Sequence, residues 1–250
     1  MTEEILTGIH TVSAVLSLNP GRVRQVYVNE KRRNNRLISV LRAVNELGLP
    51  LKEVSREKLD HLAENQIHQG IIARCEAMPA RGETELLWDV KALKHPAMLL
   101  VLDGIQDPHN LGACVRTLDS AGGDAIVIPK DRSTPVTPVV HKTASGAMET
   151  TPVYTVTNLS RTLQRLKEDC GLWIFGTGDK AENNLYRADL TVPFALVLGA
   201  EGKGMRRLVT EHCDELLTIP MKGSVSSLNV SVAAGICCYE ALRQRQIERT

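Results

Sequence analysis

Residues 194–204 read FALVLGAEGKG. Five apolar residues in a row, running into glycine, describe a strand buried on both faces rather than the alternating pattern of a sheet with one wet side. The glycines that follow, Gly199, Gly202 and Gly204, leave backbone N–H groups unshielded and let the chain pass close to a ligand. Four further runs have the same character: 98–102 (MLLVL), 125–128 (AIVI), 172–175 (LWIF) and 215–219 (ELLTI), with helical stretches between most of them. Residues 99–250 are therefore expected to form an α/β domain on a parallel sheet, with ligands gathering at the C-terminal ends of its strands.

The front of the chain repeats this pattern on a smaller scale. A strand is expected at 25–29 (QVYVN), then a helix at 34–47 with Leu37, Leu41 and Val44 at i, i+4 and i+7, stopped by Gly48. A second strand at 51–54 and a helix at 56–64 complete a small α/β domain over 1–75. Met78-Pro79-Ala80-Arg81-Gly82 and His95-Pro96 flank a segment of mixed polarity, so 76–98 is expected to be a linker.

Charge is unevenly shared. The formal net charge is +1, yet residues 1–75 carry 11 basic against 8 acidic side chains while 99–250 carry 16 against 17. Between 22 and 42, Arg22, Arg24, Lys31, Arg32, Arg33, Arg36 and Arg42 face Glu30 alone. The plain reading of such a run is a solvated face. The sharper reading is a phosphate-binding patch on Arg22, Arg24, Arg32, Arg33 and Arg36, and hence RNA.

Several classes drop out on composition. A chain that is 43% hydrophobic and 24% charged is not disordered. The two longest stretches without Asp, Glu, Lys or Arg, 5–21 and 223–239, are broken by Ser, Thr, Asn or Gly, so no membrane span is expected. The opening Met1-Thr2-Glu3-Glu4 is acidic where a secretory signal would be basic, which makes a cytoplasmic protein the expectation. Six cysteines contain no C-x-x-C and seven histidines no H-x-x-H, so neither disulfides nor a metal centre is expected. With eight aromatic residues in the chain, RNA would be held by Arg, Lys, Asn and backbone groups rather than by stacking.

Two more polar clusters follow strand ends. In 103–116 (DGIQDPHNLGACVR), Asn110 has the look of an N-cap for a helix that buries Leu111, Val115 and Leu118 and leaves Arg116 off that stripe. In 219–235 (IPMKGSVSSLNVSVAAG), small polar residues enter a tightly packed helix that Ser227 or Asn229 would cap. Taken singly, each of these has a structural explanation. The loop 199–204 lacks the Ser or Thr that follows Gly-Lys in a nucleotide phosphate loop, and Glu201 would repel phosphates but can hold an arginine such as Arg116. Gly176-Thr177-Gly178-Asp179-Lys180-Ala181 imitates a dinucleotide fingerprint, but no clear helix follows it and it falls late in the chain.

Read together, N-x-G-x-x-x-R at Asn110, Gly112 and Arg116, G-x-E-x-x-G from Gly199 to Gly204, and S-L-N-V-S-V-A from Ser227 to Ala233 resemble, in order and spacing, the three signature motifs of the SpoU/TrmH branch of the SPOUT RNA methyltransferases. Gly8-Ile9-His10 and His68-Gln69-Gly70 resemble the accessory domain of the bacterial large-subunit ribosomal RNA guanosine 2′-O-methyltransferases, itself similar to kink-turn-binding ribosomal proteins. The resemblance implies a catalytic domain whose C-terminal segment threads a deep trefoil knot, which general topology rules would not suggest. It also implies S-adenosylmethionine as cofactor, contacted by Gly199, Ile219 and Leu228, and a homodimer through the knotted domain. Asn110, Arg116, Glu201, Ser227 and Asn229 become the catalytic or substrate-ordering set.

The reaction so implied is methylation of a guanosine ribose in 23S ribosomal RNA, in the peptidyl-transferase region. Methylation of tRNA by the same chemistry, or an inactive RNA-binding assembly protein, are the alternatives. The separate basic front favours ribosomal RNA, and intact Arg116, Glu201 and Asn229 favour an enzyme. A ribose 2′-hydroxyl is a weak nucleophile, and the resemblance makes Arg116 the candidate for activating it. Because a guanidinium keeps its proton, the expected role is to orient the phosphate and hydroxyl while Glu201 fixes it. Alignment of oxygen, methyl and sulfur then supplies much of the rate.

Overall fold

The computed structural model describes residues 3–31, 35–64, 66–178, 181–200, 202 and 204–247. In chain order the elements are β1 (Glu3–Thr7), α1 (Ile9–Leu18), β2 (Val23–Asn29), α2 (Asn35–Glu46), β3 (Leu51–Val54), α3 (Arg56–Leu62), β4 (Ile71–Glu76), α4 (Glu83–Ala92), β5 (Met98–Asp103), α5 (Pro108–Ser120) and β6 (Ala125–Pro129). They continue with α6 (Pro138–Ala144), β7 (Val153–Val156), α7 (Leu159–Cys170), β8 (Trp173–Thr177), β9 (Asn183–Asn184), β10 (Phe194–Gly199), α8 (Arg207–Thr210), β11 (Glu215–Thr218) and α9 (Val230–Ile247). The chain forms two compact units: Met1–Pro79 with Val136–Thr150, and Ala80–Pro135 with Thr151–Thr250.

The first unit is a four-stranded sheet in the order β1-β4-β2-β3, with β2 and β3 parallel and the other pairs antiparallel. Strand alternation sends Val26 and Val28 of β2 into a core with Val12 and Val15 of α1 and Leu37, Val40 and Val44 of α2. Tyr27 packs on the opposite side with Leu59 of α3 and Ile72.

Segment Val136–Thr150 belongs to this unit although the family-like motifs surround it in sequence. Val140, His141 and Ala144 of α6 are buried. Arg22 donates through Nη1 to both carboxylate oxygens of Glu149 at 2.8 and 2.7 Å, and it also pairs with Glu4. Asn19 Nδ2 donates to Glu149 at 2.8 Å, and His141 Nε2 lies 3.4 Å from Glu4. Burial holds the His141 imidazole below the ordinary histidine value and pushes the Glu4 carboxyl up.

The second unit is a seven-stranded parallel sheet in the order β7-β6-β5-β10-β8-β11-β9. On one face Leu99, Val101, Ala195 and Val197 pack with Leu86, Leu87 and Val90 of α4 and Leu159, Leu163 and Leu166 of α7. The alternate residues, Leu100, Leu102, Leu196 and Leu198, are buried as well. That double burial is what the unbroken apolar runs encode. Helices α5 and α9 pack against each other, burying Leu111, Cys114, Val115 and Leu118 from one and Ala234, Cys237, Cys238 and Ala241 from the other.

Two boundaries differ from the sequence expectation. The segment 76–98 contains α4, whose apolar residues sit in the core of the second unit, so most of it is not a linker. Helix α5 begins at Pro108 rather than after Asn110, and Asp107 caps it by accepting from the backbone N–H of His109 at 2.8 Å. Proline suits the first helical position because it has no N–H to leave unpaired there. Asn110 therefore stands inside the first turn.

Gly146 fixes the inserted segment to α1. It has φ +99°, and a Cβ there would lie 2.4 Å from the Ala14 Cβ. Gly146→Ala should lower stability by about 1–3 kcal/mol through overpacking and backbone strain. Urea denaturation followed by circular dichroism checks this, and a wild-type midpoint would mean the segment is not locked there.

Candidate active site

The C-terminal ends of β8, β10 and β11 open on a cavity of roughly 840 Å³, bounded by Gly178, Gly199, Ala200, Ile219, Ser227 and Leu228 among others. It lies where β10 enters between β5 and β8, beside the reversal of strand order at which ligands of open parallel sheets gather. Its size falls within the range of small-molecule sites. Described lining residues are apolar, hydroxyl-bearing or glycine, with no charged side chain.

Gly199 is required by geometry. A Cβ on it would stand 2.2 Å from the Gly204 carbonyl carbon and 2.3 Å from the Met205 nitrogen. The close approach that demands glycine here is therefore to the loop's own returning backbone. Ala200 and Gly204 exchange backbone hydrogen bonds at 3.1 and 2.8 Å, which closes the loop. Gly202 and Gly204 have φ +73° and +65°, the left-handed region that suits glycine. The sequence's imitation of a dinucleotide fingerprint has a different explanation: a Cβ on Gly176 would lie 2.7 Å from Cys213 Sγ and Met205 Cε, so that glycine serves packing. Its neighbours Thr177 and Gly178 nevertheless line the cavity, a role that no local pattern in the sequence marks.

The first and third motifs meet. Asn229 Nδ2 donates to Asn110 Oδ1 at 3.0 Å, while Asn229 Oδ1 accepts from the Ser231 backbone N–H at 2.9 Å and from its hydroxyl at 2.6 Å. Asn229 is thus both the cap expected for α9 and a bridge to α5. Arg116 stands on the exposed side of α5, off the stripe of Leu111, Val115 and Leu118. Ser227 is exposed and Ile219 and Leu228 half-buried, all three at the cavity. Glu201 lies outside the described residues. The thiols near the α5–α9 contact are not nucleophiles: burial pushes Cys114 and Cys238 up to about 12.

The basic run divides. Arg22 is held by Glu4 and Glu149 and is only 18% exposed, so its guanidinium is committed inside the first unit. Arg24 pairs with Glu76 at the surface, and Arg36 is exposed on α2. Arg32 and Arg33 lie outside the described residues. Among the described residues no helix is long and apolar enough to cross a membrane.

Comparison with known proteins places both halves. The SpoU rRNA Methylase family profile matches residues 97–239, and the profile for RNA 2′-O ribose methyltransferase substrate binding matches residues 5–79. The 23S rRNA (guanosine-2′-O-)-methyltransferase RlmB of Haemophilus influenzae is 49% identical over 245 residues, 98% of this chain and 99% of its own. A solved RNA 2′-O ribose methyltransferase, 28% identical, superimposes with a TM-score of 0.80 over 98% of this chain and 89% of that one. The SpoU methyltransferase AviRb of Streptomyces viridochromogenes, solved in complex with AdoMet, shares the fold at 22% identity, with a TM-score of 0.80 over 98% of this chain and 91% of that one. With its parallel sheet, its glycine-closed loop and the Asn110–Asn229 bridge between motifs, this chain belongs to the SpoU rRNA methylase family.

Proposed function

We propose that this chain is a methyltransferase that uses S-adenosylmethionine to methylate the ribose 2′-hydroxyl of a guanosine in 23S ribosomal RNA, in the peptidyl-transferase region. One observation carries the reading: the 49% identity to the Haemophilus influenzae enzyme runs through 98% of the chain, the front unit included. The cavity fits the cofactor. Among the described residues the lining consists of backbone, hydroxyl and apolar groups, which suits an adenosine edge and a ribose.

S-adenosylmethionine, when bound, supplies a methyl group activated by a sulfonium. The chain supplies position. Backbone groups at Gly199, Ile219 and Leu228 hold the cofactor, Asn110, Asn229 and Ser227 order the junction between cofactor and ribose, and Arg116 orients the phosphate and hydroxyl with Glu201 fixing its guanidinium. Holding the attacking oxygen in line replaces an unfavourable bimolecular encounter by a prealigned one.

A threaded C-terminal segment accords with β10 lying between β5 and β8, and with residues 217–230 returning to line the cavity. A homodimer through this unit accords with Val232, Tyr239 and Ile247 of α9, which are 50%, 50% and 60% exposed. A ribosomal RNA substrate puts the site of action in the cytoplasm. In the front unit, Arg24, Arg32, Arg33 and Arg36 grip RNA, and Arg22 keeps the unit folded.

Three outcomes test this reading. Ribosomal RNA from a strain lacking the protein should lose a single guanosine 2′-O-methyl in 23S rRNA; full methylation there would overturn the assignment. Arg116→Ala should bind S-adenosylmethionine normally and lose at least about 2.7 kcal/mol of transition-state stabilisation, roughly a hundredfold in rate. Methyl-transfer assays check it, and near-normal turnover would remove Arg116 from the site. Replacing Arg24, Arg32, Arg33 and Arg36 by Gln should weaken RNA binding and flatten its salt dependence, by about 0.7–0.9 in slope for each phosphate that is no longer neutralised. Arg22→Gln should instead lower the melting temperature. Identical slopes for wild type and the fourfold variant would make the basic run a solvated face.

A further inference from the structure

We propose that Asp103 and Arg206 form a latch that sets the cofactor loop, making both of them positioning residues for S-adenosylmethionine; the inference rests on the cofactor reading above. Neither residue belongs to the three motifs, and Arg206 beside Arg207 has the look of plain surface charge in the sequence. Asp103 ends β5 directly opposite Gly199 of β10. Its side chain is 0% exposed, while that of Arg206 is 41% exposed. Asp103 Oδ2 accepts from the Arg206 backbone N–H at 2.8 Å, and Oδ1 accepts from Nε at 2.6 Å with Nη2 also 2.6 Å away.

A carboxylate so deeply buried is tolerable only with charged and hydrogen-bonding partners. These three donors come from one residue, and that residue is the far end of the glycine loop. The loop therefore starts and finishes at one point. Gly199 is held beside Asp103 by strand register, Ala200 and Gly204 close on each other, and Arg206 returns to the same carboxylate. The latch also reaches the first motif. A Cβ on Gly104, the next residue after Asp103, would lie 3.6 Å from the Ala200 Cβ, so the turn that leads into α5 packs on the loop. Through these contacts the wall of the cavity is fixed relative to the helix that carries Asn110 and Arg116.

A purely structural ion pair would show itself in stability, and a positioning pair in cofactor binding. Removing Arg206 alone would strand a buried charge, so the double variant Asp103→Asn/Arg206→Gln is the main test, because it leaves no ion behind. It should stay folded, with S-adenosylmethionine Kd and KM raised tenfold or more. The KM for RNA should remain near wild type. Arg206→Lys should recover part of the affinity, since an ammonium keeps the charge but loses the paired geometry. Hydrogen exchange of peptides covering 199–206 should quicken in the double variant while the rest of the sheet keeps its protection.

A folded double variant with wild-type exchange in the loop overturns the latch. Faster exchange with unchanged cofactor affinity overturns the positioning role. Should the double variant fail to fold, Arg206→Lys is judged by the same two measurements. Wild-type protein that does not bind S-adenosylmethionine would instead refute the cofactor reading, and the exchange data would still decide the latch.

Discussion

A side chain at residue 199 would occupy the space through which the Gly204–Met205 backbone returns, 2.2 to 2.3 Å from the Cβ position. Everything at the edge of the parallel sheet depends on that crossing. It lets the chain leaving β10 double back at once, so that Ala200 and Gly204 pair and the loop stays beside the strand end instead of running out into solvent. A loop held this close brings peptide groups, and no charged side chain among the described lining, to the cavity. Backbone is what the glycines of the loop leave exposed there.

The second requirement is the contact between α5 and α9. Small and medium residues, Cys114 on one helix and Ala234 and Cys238 on the other, are buried in and around it. Close packing of those helices carries their N-terminal ends together, and there Asn110 and Asn229 form their hydrogen bond across 119 residues of sequence. An amide is well suited to such a junction, since one Asn229 side chain accepts from Ser231 and donates to Asn110 simultaneously. The hydrogen bond between two of the motifs is thus a consequence of helix packing that neither motif encodes by itself.

The parts legible in the sequence were those with a local physical signature. Strands β5, β6 and β10 are buried on both faces, so their residues are apolar without alternation and are visible as runs, while β8 and β11 carry shorter apolar stretches. β4 (IIARCE) is interrupted by Arg74, and β9 is two residues long, so neither announces itself. Helix α4 hides Leu86, Leu87 and Val90 among charges, and its segment looked like a linker for that reason. At the site, single residues carried almost no signal: a cap explains Asn229, and Asp107 takes the capping role that Asn110 was expected to fill. Only the joint spacing of three motifs, known from a family, pointed to the chemistry. The partners of long-range contacts, Asn110 with Asn229 and Asp103 with Arg206, lie beyond the reach of any local pattern.

Charge counting misplaces Arg22 for the same reason. Counting Arg22 among unopposed basic residues ignores Glu149, which reaches it from 127 positions away. That partner arrives because the connection between β6 and β7 is not made within the second unit: the chain leaves it after Pro135, builds α6 against β1 and α1 in the first unit, and returns at Thr151. Together with the junction after Pro79, the polypeptide passes between the units three times. A cut near residue 75 would therefore not release two complete domains. It would strip partners from Val140, His141, Ala144 and the Glu149 carboxylate, leaving apolar surface and an unpaired acid on the piece that keeps the three motifs. The substrate-binding profile lies within the first unit and the methylase profile mostly within the second, yet the segment that joins β6 to β7 packs in the first.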